Sequence, residues 1–160
     1  WVDGSPESLF PLLCPVREYE WIPDWTCELH HTRSGWVERG ACFSTQRGDD
    51  RTLWVTTRHD PLHLLVEFAK FSAPHWVELM SLQLSAAAEK VATTAIPKAQ
   101  AAPVDEGAAG GSRLDIRYHL VGLDTEGERR ILEARRTGQP YRQTAERIAE
   151  LLRLYQARPA

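Results

Sequence analysis

Three side chains in this sequence have the types that acid–base chemistry needs: Glu18, His59 and Tyr118. A carboxylate withdrawn from water has a raised pKa and can exchange a proton near neutrality. An imidazole does so with little perturbation, and a phenol adds a hydroxyl donor. The sequence contains no Ser-His-Asp or Cys-His signature, and Cys14 has no base partner at sequence level. The plainer reading of Arg17, Glu18 and Glu20 is a solvated helix face or a surface ion pair. His119 falls on the polar side of its strand and is expected at the surface.

Binding chemistry has a stronger sequence signal. Between Cys14 and Trp25 the chain carries Tyr19, Trp21 and Trp25 together with Pro15 and Pro23. So many large amphipathic side chains suit a rigid aromatic wall, either of a core or of a ligand cavity. Trp54, Phe68, Tyr118, Tyr141 and Ile148 join Trp21 and Trp25 as candidate lining residues. Each has two readings, core packing or ligand contact.

No metal or cofactor is expected. Cys14, Cys27 and Cys42 form no close pair of the kind zinc requires, and the rings of His30 and His31 point to opposite faces of a strand. The cysteines read as reduced, buried hydrophobes. Gly107–Gly111 lacks the Lys-Ser/Thr of a phosphate loop and reads as a linker.

The chain has 160 residues, enough for one domain spanning 1–160, with 42% hydrophobic and 26% charged residues. A formal net charge of -3 gives no reason to expect a nucleic-acid partner. No apolar run reaches the roughly 20 residues of a membrane span. No signal peptide is visible, and the cytoplasm is the default expectation. Oligomeric state is not legible.

The elements that must position these groups are short. Ser5 caps a helix that Pro6 opens and Leu9, Phe10, Leu12 and Leu13 make apolar. A second short helix is expected around Val16 to Ile22, stopped by Pro23. Five strands follow, over Thr26–Thr32, Trp36–Gln46, Arg51–His59, Leu62–Phe71 and Trp76–Ser85. Short turns between them predict an antiparallel meander. Residues 86–112 are rich in Ala, Thr, Pro and Gly and read as a mobile excursion. Arg113–Leu123 alternates cleanly, with Leu114, Ile116, Tyr118 and Leu120 on one face. A helix then starts at Asp124 or Thr125, with Gly138 and Pro140 as interruptions. Tyr141, Ala145, Ile148, Leu152 and Tyr155 form a stripe at helical period, a cover for the apolar sheet face.

This order resembles the START-like or SRPBCC superfamily of polyketide cyclase/dehydratase and lipid-transport proteins. The local match runs through Asp3-Gly4-Ser5-Pro6-Glu7, Leu12-Leu13-Cys14-Pro15-Val16-Arg17-Glu18-Tyr19-Glu20-Trp21-Ile22-Pro23 and Trp25. It is similar to a bacterial subgroup of uncharacterised proteins. The resemblance implies an α+β helix-grip fold, a curved antiparallel β-sheet wrapped around a long C-terminal α-helix with two short N-terminal helices. It also implies a cavity between sheet and helix. Two departures stand out: only Trp1 and Val2 precede the Asp3 turn where the superfamily has a full strand, and 86–112 exceeds the usual hairpin.

Three functions follow as expectations. The first is a carrier or sensor of a small apolar or amphipathic molecule. The second is a cyclase, dehydratase or hydrolase using Glu18 or His59 with Tyr118. The third is a protein-binding adaptor that uses the long loop or a sheet edge.

Overall fold

The computed structural model describes residues 1–87, 111–137 and 139–158. The expected 86–112 excursion lies mostly outside them. Helix α1 (Pro6–Leu9) starts as the sequence predicts. Ser5 is its cap, its Oγ accepting from the Ser8 N–H at 3.3 Å, and Pro6 fills the first turn. A 3-10 turn over Phe10–Leu13 continues it. The second expected helix is reduced to a 3-10 turn, Glu18–Glu20. Pro15 and Pro23 bound this segment on both sides and keep it short.

Six strands form one antiparallel sheet in sequence order: β1 (Glu28–His31), β2 (Cys42–Arg47), β3 (Asp50–Asp60), β4 (Leu65–Ala73), β5 (Trp76–Ala86) and β6 (Ser112–Gly122). The meander is therefore as expected, and the largest departures from the sequence reading are the starts of β2 and β4. Residues 36–41 are not strand. Thr32 Oγ1 accepts from Gly35 N–H and donates to the Trp36 carbonyl, Ser34 Oγ accepts from Trp36 N–H, and Glu38 accepts from Arg33 N–H. These local bonds take the polar groups a strand ladder would use. β4 begins at Leu65 rather than Leu62, because the turn that leads into it includes Leu64 at φ 51°.

The register sets two faces. Phe43, Trp54, Lys70, Glu78 and Leu120 form one cross-strand row, and Thr56, Phe68, Met80 and Tyr118 form the next row on the same inner face. A bulge between Thr56 and Arg58 resets the register, so His59 pairs with Val66 and shares its inner face. The opposite face carries exposed Leu53, Phe71, Leu79 and Val121.

Helix α2 (Thr125–Thr137) and helix α3 (Gln139–Gln156) follow β6. They lie either side of position 138, and Pro140 belongs to the first turn of α3 rather than breaking it, a position where its missing N–H is not needed. Asp124 caps α2, its Oδ1 accepting from Gly127 N–H at 2.8 Å and its Oδ2 meeting His75 Nδ1 at 2.8 Å. Gly127 has to lack a side chain, since a Cβ would fall 1.9 Å from the His75 carbonyl oxygen.

Leu151 and Leu152 of α3 share one buried core with Leu9, Phe10, Leu12, Leu13, Trp21, Phe43, Val66, Phe68, Leu82 and Leu84. Ile148, Ala149 and Tyr155 pack against it. The C-terminal helix thus covers the inner sheet face, as the period-3.6 stripe requires. The chain start is tied in as well. Val2 bridges Ser112, with N–H to carbonyl distances of 2.9 and 2.7 Å, and Arg153 donates to the Trp1 carbonyl. Among the described residues, no helix is long and apolar enough to cross a membrane.

Candidate functional site

The chain from Phe10 to Arg17 doubles back across the end of the inner sheet face. This follows from its prolines, which permit 3-10 turns and little else. Trp21 sets the return. It is 3% exposed, and its indole Nε1 donates to the Leu12 carbonyl at 2.9 Å. Trp25 Nε1 donates to the Pro15 carbonyl at 2.8 Å, although Trp25 itself is only half-buried. Both indoles therefore hold the 12–15 segment, Trp21 from the core and Trp25 from its edge.

A cleft of about 400 Å³ opens beside this segment. Phe10, Pro11, Leu13, Cys14 and Arg17 form one wall, and Val66, His59 and Pro61 come from β4, β3 and the turn between them. Trp36 and Val37 close it from the loop before β2. Val37 N–H donates to the Cys14 Sγ at 3.3 Å, which pins that loop to the opposite wall. Trp36 is 53% exposed, a large aromatic held at the rim without a core to enter.

Three polar side chains reach the cleft. The His59 ring stacks on Phe10 with centroids 5.6 Å apart and planes 13° from parallel. Burial lowers its pKa, against the opposing charges of Asp60 and Glu38. Arg17 is held side-on by Glu20, through Nε to Oε1 at 2.7 Å and Nη2 to Oε2 at 2.9 Å. Tyr155 of α3 also donates to Glu20 Oε2 at 2.7 Å. These bonds hold the Glu20 carboxyl down at about 2. Cys14 is buried, and all three cysteines are free.

The acid–base candidates do not gather in this cleft. His59 lines it, whereas Glu18 and Tyr118 do not. Glu18 is half-buried as a residue, and desolvation of its carboxyl pushes it up to about 8. That charge and Cys14 add to the burial that raises the Cys27 thiol to about 11. Tyr118 lies on the inner sheet face with its ring centroid 4.5 Å from that of Tyr141. Burial first, then Glu78 and Tyr141, push its hydroxyl up to about 12.

The aromatic candidates form a second cluster. Trp54 stacks on Phe43 at 5.7 Å and meets Phe68 edge-on at 5.9 Å. Lys70 Nζ sits 5.2 Å from the Trp54 ring centre and 3.0 Å from Glu78 Oε1. Glu78 is 6% exposed, so this pair is largely withdrawn from water. None of Trp21, Trp25, Trp54, Phe68, Tyr118, Tyr141 and Ile148 lines the 400 Å³ cleft. No residue of α3 does either, so the cleft does not coincide with the cavity expected between sheet and helix. On α3, Leu151 and Leu152 are buried in the core and Ile148 packs against it, partly buried. Sequence reasoning missed Phe10, Pro11, Leu13, Cys14, Trp36, Val37, Pro61 and Val66 as lining residues. Trp36 alone carried a signal, as a large aromatic beside a Ser-Gly turn.

Among the described residues no group of three or more His, Cys, Asp or Glu is close enough to hold a metal ion. No family model, curated protein or solved structure matches this chain.

Proposed function

We propose that this chain is a START-like, helix-grip domain that binds a small apolar or amphipathic molecule, as a carrier or sensor, in the cleft between Phe10 and Trp36. The observation that carries the reading is the cleft itself. Seven of its ten lining residues are Phe10, Pro11, Leu13, Trp36, Val37, Pro61 and Val66, all apolar or aromatic, and the open cleft they help line has a volume of about 400 Å³. That volume and composition are those of a site for a small organic ligand. The helix-grip assignment rests on the sequence-ordered antiparallel sheet and on a C-terminal helix packed against its inner face. A carrier is preferred to a cyclase or dehydratase because, of Glu18, His59 and Tyr118, only His59 reaches the cleft.

A thermal-shift screen of fatty acids, sterols and fused-ring aromatics tests the reading. A ligand bound only to the native state raises the melting temperature with its concentration. The variant Val37→Trp fills the cleft from one wall. At least one compound is expected to stabilise the wild type and to lose that effect in the variant. Equal shifts in both proteins, or none in either, overturn the assignment.

A further inference from the structure

We infer that the cleft selects an organic anion, a flat apolar body carrying one carboxylate, and that Arg17 is its specificity residue. The inference rests on the ligand-binding reading above and names the ligand class. Its basis is the asymmetry of the polar groups. The cleft wall carries a guanidinium, an imidazole and a thiol, and no carboxylate. The acidic residues nearby in the chain are committed elsewhere. Asp60 is bound by Arg58 at 2.8 Å and by His63 at 2.9 Å. Glu38 is bound by Arg33 N–H and Thr32 Oγ1. Glu20 is taken by Arg17 and Tyr155. An acceptor-bearing head group therefore meets donors at this wall, and the nearest carboxylates, Glu20, Glu38 and Asp60, are each already bound by other donors.

Arg17 is built for the task. Glu20 uses two of its N–H donors, and a guanidinium presents five in a fixed plane, so donors remain for a second carboxylate. The side-on pair also holds the guanidinium in one orientation, which reduces the entropy a ligand must overcome. The body of the ligand is taken to be flat and aromatic because aromatic rings contribute to both the wall and the rim of the cleft. The stacked His59 and Phe10 rings form one side and the Trp36 indole lies at the rim.

The test uses three naphthalene probes of one shape: the carboxylate, the carboxamide and the methylammonium. Isothermal titration measures each against wild type, Arg17→Gln and Glu20→Gln. The carboxylate is expected to bind about tenfold tighter than the carboxamide, the scale of one charge-assisted hydrogen bond. The methylammonium is expected to be weakest. Arg17→Gln should erase the preference while leaving carboxamide affinity in place. Glu20→Gln removes the balancing charge and should tighten carboxylate binding further, which a purely structural role for the pair would not do. A carboxamide that binds wild type as tightly as the carboxylate overturns the anion inference and leaves the cleft assignment standing. Failure of all three probes to bind overturns the flat-anion inference, and the thermal-shift screen then decides the cleft assignment separately. Circular dichroism melts of both variants verify that they are folded, and Arg17→Lys, which keeps the charge, should retain part of the preference if Arg17→Gln is unfolded.

Discussion

The Tyr155 hydroxyl donates to Glu20 Oε2 at 2.7 Å, joining the C-terminal helix to the turn that carries Arg17 across 135 residues of sequence. The same carboxylate holds Arg17. One acidic side chain thus fixes both the end of α3 and the guanidinium at the cleft wall. Tyr155→Phe should lower stability slightly, because water screens this hydrogen bond and competes for both partners. Urea denaturation at pH 7 measures it. An unchanged midpoint would show that the bond contributes nothing in water.

Trp21 is expected to be the costliest single truncation near the N-terminus. Trp21→Ala should lose about 3–5 kcal/mol through the cavity it leaves. Trp21→Phe keeps most of the volume but strands the buried Leu12 carbonyl, for about 1–2 kcal/mol. If Phe and Ala cost the same, packing is not what holds the 12–15 segment in place.

Lys70 and Glu78 form a largely buried pair under Trp54. Lys70→Met leaves Glu78 charged and unpaired, and should cost about 3 kcal/mol. Adding Glu78→Gln should restore most of that loss, because the uncompensated charge is gone. A double variant no better than the single one would mean that Lys70 acts mainly through its contact with the Trp54 ring. Chemical melts of the two variants and of Glu78→Gln alone complete the cycle.

Glu18 sets a pH dependence of opposite sign to that of most carboxylates. Its ordinary value is 4.5, and burial raises it to about 8 in the fold. Between those values the native state binds the proton more strongly than the unfolded chain, so stability falls as pH rises. The contribution is intact below about 4.5 and lost above about 8. Glu18→Gln should flatten the stability profile from pH 5 to 8 and be more stable than wild type at pH 8. Denaturation series at pH 5, 6.5 and 8 measure this. Parallel profiles for the two proteins would contradict it.

The local readings were legible because they depend on neighbours in the chain. Ser5 and Pro6 specify a helix start through backbone geometry alone. The alternation at Leu114, Ile116, Tyr118 and Leu120 identifies a half-covered strand, since side chains in a strand repeat every second residue. The stripe through Ile148 and Leu152 likewise marks a helix with one face to bury, and its burial in the core agrees. The antiparallel order followed from turn lengths.

Only the tertiary structure decided where the open space lies. Nothing local distinguishes an aromatic residue that fills a core from one that lines a cleft. Trp54 and Phe68 became packing partners, while Phe10 was paired with His59 from β3. That pairing depends on the bulge at Thr56 and Arg58, which turns His59 to the inner face, and a register shift leaves little trace in residue types. Arg17 reached the cleft wall because Glu20 and Tyr155, far apart in sequence, hold it there. Periodicity reports which face of an element is apolar. What that face meets depends on how distant elements dock, and docking is set by side-chain volumes summed over the whole core.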